Sequence, residues 1–194
     1  RNLALKLSAL DISPEQKKMF ADLIANYIYV SKEHLRGNMP SDDLVFNDTY
    51  DINYYRGATH LPNRVMKAIY HEINVLYIQK TITGEQLLFL NEELRSFTDN
   101  IGICERIKRT PIPYSYSLYL KKIIFIYVFT MPIGFVREFG YWAMPIVSLV
   151  FYVFGSIELL AEEIEDPFGT DANDLPTDQI FETIRVNVDE IMGV

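Results

Sequence analysis

The sequence predicts an all-α membrane protein: a transmembrane helical hairpin joined to a helical region outside the bilayer. Three observations carry this. Residues 123–136 and 143–157 hold no charged side chain and are rich in Ile, Phe, Val and Tyr, with only Arg137-Glu138-Phe139-Gly140-Tyr141-Trp142 nearby between them. Arg106, Lys108, Arg109, Lys121 and Lys122 precede the first run, whereas the turn carries Arg137 as its one basic residue. The rest of the chain shows helix-start signals followed by apolar residues at helical spacing.

A hydrocarbon core of ~30 Å calls for a helix of about 20 residues. Helices running from about residue 115 to 160, with the turn between them, supply roughly that length each at ~1.5 Å per residue. The basic cluster places the preceding chain in the cytoplasm, and a two-pass hairpin returns its end to the same side. Tyr141 and Trp142 stand where an aromatic belt would anchor the outer interface. Lys121 and Lys122 are expected to snorkel out of the apolar zone. A buried hairpin in a soluble core is the competing reading, because each uncharged run is shorter than a clean span.

The remaining elements follow in order. The first part of the chain reads as α-helical. Ser13-Pro14-Glu15-Gln16 offers an N-cap, Pro at the first helical position and Gln to close a capping box. Met19, Phe20, Leu23, Ile24, Tyr27, Ile28 and Leu35 then keep helical spacing up to Gly37. Residues 38–56 are polar and read as a loop. Pro62 opens a helix with Val65, Ile69, Ile73, Leu76 and Tyr77 on one face. Thr83-Gly84-Glu85-Gln86 repeats the capping box and starts a helix through Phe97, and Asp99-Asn100-Ile101-Gly102 reads as a break. After the hairpin an acidic helical turn ends at Asp166-Pro167-Phe168-Gly169, since Pro lacks a donor and Gly permits a left-handed turn. Ile180, Ile184, Val188 and Ile191 then form the apolar stripe of a last helix, which must dock on something. Three segments result: 1–114 a cytosolic helical region, 115–160 the transmembrane hairpin, and 161–194 an acidic belt with a C-terminal cytosolic helix.

The 194-residue chain has a formal net charge of −8, which argues against non-specific nucleic-acid binding. From Glu158 onward Arg185 is the only basic residue. With Cys104 as the one cysteine, neither an internal disulfide nor a Cys-based metal cluster can form. The chain begins at Arg1 and reads as part of a longer protein, and residues 1–10 lack a signal-peptide core. Glu158, Glu162 and Glu163 share a helix that carries no His, so a di-metal carboxylate pattern is incomplete. His34, His60 and His71 are remote from it, and His71-Glu72 has no second His to make a zinc motif. These carboxylates read as a solvated helix end, and no nucleophile elbow, phosphate loop or Cys–His pair marks an enzyme.

Two blocks flank the hairpin: Cys104-Glu105-Arg106-Ile107-Lys108-Arg109-Thr110-Pro111-Ile112-Pro113-Tyr114-Ser115-Tyr116 before it, and Ala161-Glu162-Glu163-Ile164-Glu165-Asp166-Pro167-Phe168-Gly169 with Asp171-Ala172-Asn173-Asp174-Leu175-Pro176 after it. In this order they resemble the bestrophin family, and its bacterial branch more than its animal branch. The resemblance spans nearly the whole chain and is strongest after Asp99. It implies a homopentameric channel passing small monovalent ions through a central pore, with identical subunits, lipid and the permeating ions as partners. It also implies a multi-pass protein of the bacterial inner membrane with most of the chain cytoplasmic. The family's first two membrane helices, with the pore neck, have no counterpart here.

The resemblance implies three sites. Ile112 matches the position that narrows the cytosolic end of the pore. Pro111 and Pro113 hold the backbone out of ordinary helix there, so five isoleucines would meet as a dewetting ring. Asp166, Asp171 and Asp174 match the calcium clasp of animal members. Asp166 stands where they have Asn, and Thr170 and Ala172 stand where they have acidic or polar groups. Too few carboxylates remain for tight calcium, which takes six to eight oxygens, and no other cofactor is implied. The stripe Ile180, Ile184, Val188 and Ile191 matches a subunit interface. The likeness to the bacterial branch and the acidic flank at 158–166 together lean the selectivity towards cations. A non-conducting membrane-anchored scaffold is the alternative function.

Overall fold

The computed structural model describes residues 1–38, 44–47, 49–110 and 113–194. Its helices are α1 (Asn2–Ser8), α2 (Pro14–Arg36), α3 (Ile52–Tyr55), α4 (Leu61–Ile78), α5 (Gly84–Arg109), α6 (Tyr114–Phe139), α7 (Ala143–Glu165) and α8 (Thr177–Met192). No strand occurs among the described residues. The chain forms two compact units, one of Arg1–Ile107 with Pro176–Val194 and one of Lys108–Leu175. The expected third segment therefore does not stand apart. Its helix α8 joins the first unit, because an apolar face must be covered and the chain's own α1 and α2 cover it.

In the first unit α2 is central and packs on α1, α4 and α8. Its start has the expected capping box: Ser13 Oγ accepts the Gln16 N–H at 3.2 Å, and Gln16 Oε1 accepts the Ser13 N–H at 3.0 Å. Its end is Gly37 at φ 80°, a left-handed cap that glycine adopts without strain. Phe20, Leu23, Ile24 and Val30 of α2 are buried with Leu3 and Leu7 of α1, Val65, Ile69, Ile73 and Leu76 of α4, and Leu90 and Leu94 of α5. Each such side chain contributes about 1.5–3 kcal/mol when buried. Tyr77, placed on the same α4 face by periodicity, is instead exposed near the end of the helix.

Two expectations change. The 38–56 loop contains the short helix α3, capped by the Asp51 carboxylate, which accepts the Tyr54 N–H at 3.0 Å. The expected break at 99–102 is absent, and α5 runs unbroken to Arg109. Gly102 costs a helix only ~1 kcal/mol relative to Ala. Burial of Ile101, with Asp99 paired to Arg95 at 3.3 Å, carries the helix through.

The second unit is an antiparallel pair, α6 and α7, joined by a 3-10 turn at Gly140–Trp142. Gly140 sits at φ 53°, ψ −127°, a conformation that requires glycine. Pro132 lies inside α6 without ending it. Prolines are tolerated inside membrane helices; two residues before Pro132, the Thr130 hydroxyl donates to the Ile126 carbonyl of its own helix at 2.8 Å.

Candidate functional site

The hairpin is long enough to span a membrane. At ~1.5 Å per residue, the 26 residues of α6 and 23 of α7 give roughly 39 and 34 Å. Its most apolar 18-residue window is only 6% buried. The core helix of a soluble protein would be mostly covered, so the soluble-core reading loses. Phe125, Phe129 and Ile133 of α6, and Leu149, Tyr152 and Ile157 of α7, face outward. At the turn Tyr141 is 89% and Trp142 75% exposed, as interfacial anchors need to be.

The polar end of the hairpin is internally matched. Lys121 Nζ lies 3.1 Å from Glu158 Oε1 and 3.7 Å from Glu162 Oε1. Lys121 thus does not snorkel alone: α7 brings carboxylates to it, so neither sign faces an apolar surrounding unpaired. Glu163 is also engaged, accepting from Asn173 Nδ2 at 2.7 Å. Glu158 and Glu162 are therefore more than a solvated helix end.

Of the residues expected to line the pore, Pro111 and Ile112 lie outside the described residues. Pro113 stands at the cap position of α6 and is exposed, and its carbonyl accepts the Tyr116 N–H at 2.7 Å. The three carboxylates expected at a calcium clasp are not gathered into one ligand group among the described residues. They close a turn instead. Asp166 Oδ1 accepts the Phe168 N–H at 3.4 Å, and Asp174 Oδ2 accepts the Asp171 N–H at 2.7 Å. Gly169 makes room for this: a Cβ there would meet Asp174 Oδ2 at 2.5 Å.

The stripe expected at a subunit interface is largely spent within the chain. Val188 is buried in the first unit's core, Ile184 and Ile191 pack against it, and Ile180 is 39% exposed. Phe181 and Met192, which the stripe omitted, are also buried. The start of α8 is locked electrostatically. Asp178 meets Lys32 Nζ at 2.8 Å and both terminal nitrogens of Arg36. Hydrogen bonds from Arg36 and then Lys32 hold the Asp178 carboxyl far below its ordinary range.

Sequence reasoning missed one constellation. His34 in the last turns of α2 and His60, the N-cap of α4, each place Nε2 2.7 Å from the same oxygen, Glu105 Oε1 of α5. The rings lie 4.6 Å apart, centroid to centroid. His60 Nδ1 accepts the Asn63 N–H at 3.2 Å, which puts the ring proton on Nε2, where it donates to Glu105. Burial pushes the Glu105 carboxyl up, but the hydrogen bonds from His34 and His60 outweigh it and hold the group below its ordinary value. The available signal was His60 directly before Leu61-Pro62, a helix start at which a His, and not the neighbouring Thr59, takes the cap position.

Residues 1–190 match the family described as Bacterial/Fungal Bestrophin protein. Among curated relatives, the chain is 35% identical to a voltage-dependent anion channel-forming protein of Nostoc, over all of this chain and 65% of that protein. It is 40% identical to one of Mesorhizobium japonicum, over all of this chain and 62% of that protein. The chain thus spans somewhat under two thirds of these relatives' length. A crystal structure of a bacterial bestrophin homolog from Klebsiella pneumoniae superposes with a TM-score of 0.91 at 26% identity, covering 99% of this chain and 72% of that one.

Proposed function

This chain belongs to the bacterial and fungal bestrophin family, and on that premise we propose that its parent protein is an anion channel of the membrane. The observation that carries the reading is the hairpin α6–α7, of spanning length, apolar on its outer surface and joined to a helical unit with its own core. The relatives' names specify anions. That outweighs the cation preference read from the bacterial look of the chain and its acidic flank, where Lys121 pairs with Glu158 and shares its one positive charge with Glu162. In this reading five copies surround one pore, the first unit faces the bacterial cytoplasm and the Gly140–Trp142 turn faces outward, as the basic residues before α6 favour.

Ile112, between Pro111 and Pro113, forms the apolar constriction at the cytosolic exit in this proposal. The test is reconstitution of the full-length protein in liposomes, with the reversal potential measured in a chloride gradient. Flux with a potential near that of chloride supports the channel, and flux no greater than that of empty liposomes leaves a membrane-anchored scaffold. Ile112→Ala should raise conductance or shift selectivity while the assembly stays intact. Unchanged conduction with a stability loss of about 2–5 kcal/mol would make Ile112 ordinary packing.

A further inference from the structure

The cluster of His34, His60 and Glu105 stands outside anything the proposed channel uses. Three elements remote in sequence bring three donor atoms within 4.8 Å of one another. We propose that this cluster is a binding site for a divalent transition-metal ion of the zinc type, held by His34 Nε2, His60 Nε2 and the Glu105 carboxylate.

The donor set selects the ion. Two imidazole nitrogens and one carboxylate oxygen suit zinc and its neighbours, whereas calcium and magnesium take oxygen shells and copper(I) favours sulfur. The set leaves a fourth position open for water. The side chains are 26%, 27% and 21% exposed, so an ion can enter and carry that water with it. Without metal, ring protons occupy the ion's place, which is why nitrogen and oxygen stand 2.7 Å apart. Metal–donor distances of ~2.0–2.2 Å in a tetrahedron require the donors to separate by somewhat under ~1 Å, a rotamer-scale adjustment.

Binding also changes a tautomer. The proton on His60 Nε2 moves to Nδ1 by exchange with water, and the Asn63 N–H loses its acceptor. One N-cap hydrogen bond is given up for three coordination bonds. The ion would staple the end of α2, the start of α4 and α5 a few residues before the segment leading into α6. This inference does not rest on ion conduction.

The experiment uses tag-free full-length protein in detergent, stripped with chelator and titrated with zinc chloride and, separately, cobalt chloride. The expected result is one ion per chain, a rise in melting temperature with zinc, and visible absorption bands typical of low-coordinate cobalt(II). His60→Asn removes the imidazole but retains an oxygen able to cap α4, so its metal-free melting temperature should stay near wild type. In both His60→Asn and Glu105→Gln, affinity should fall at least tenfold and the cobalt bands should vanish. Absence of stoichiometric binding, or equal affinity in wild type and both variants, would overturn the proposal and leave a metal-free hydrogen-bonded clamp.

Discussion

The two units use the same residue types for opposite ends. In the first, Phe20, Leu23, Ile69 and Leu76 turn inward and are sealed by α1, α4, α5 and α8. In the second, Phe125, Phe129, Ile133 and Leu149 turn outward, and no residue of α6 is buried. Water explains the first arrangement, since apolar area removed from it is the driving force. The second has no such driving force in an aqueous setting and makes sense where lipid is the solvent. Apolar content alone does not distinguish a core from a membrane span; the direction in which side chains face does.

The largest expected contrast comes from truncating one phenylalanine in each unit. Phe20→Ala leaves a closed cavity and should cost about 3–5 kcal/mol, read from chemical denaturation of the detergent-solubilised protein. Phe125→Ala faces lipid or detergent, which fills the space, and should cost about 1 kcal/mol or less. Equal losses would mean that α6 has a protein neighbour on that face.

A second contrast tests polar satisfaction. Asn26 is buried and exchanges two hydrogen bonds of 2.8 Å with the Val45 backbone, mimicking a strand partner. Asn26→Ala strands the Val45 N–H and carbonyl and should cost ~1–3 kcal/mol, with faster amide exchange at Val45.

Smaller still is the lock on α8. Asp178 is mostly exposed, so Asp178→Asn should cost about 1 kcal/mol at neutral pH. The sign follows from its depressed carboxyl: the stabilisation is complete above the unfolded-state value of ~3.9 and fades as pH falls below it. Wild type and variant should therefore converge in strongly acidic buffer, and a gap that widens there would contradict the assignment. At the hairpin turn Gly140→Ala meets no neighbouring atom but forces a side chain into a glycine-only conformation, and should lower stability by ~1–3 kcal/mol with no change in oligomer mass.

Much of this was legible in one dimension. The capping boxes at Ser13 and Thr83 formed as the spacing required, with Gln86 Oε1 accepting the Thr83 N–H at 2.8 Å. The hairpin stands where the uncharged runs placed it, but α6 continues through Arg137-Glu138-Phe139, so the turn expected over 137–142 narrows to Gly140–Trp142. The break at 99–102 failed because local propensity, worth tenths of a kcal/mol per residue, yielded to burial of Ile101. The stripe on α8 was correct as a docking face but silent about its partner.

Helix starts, spanning length and the family were written in short-range patterns, because caps and periodicity act over a few residues and composition sets the solvent a segment prefers. The pairing of Lys121 with Glu158, the return of α8 to α2, and the meeting of His34, His60 and Glu105 were decided by packing. Those contacts join residues tens of positions or more apart, and nothing in the sequence between them specifies the distance at which folding brings them together.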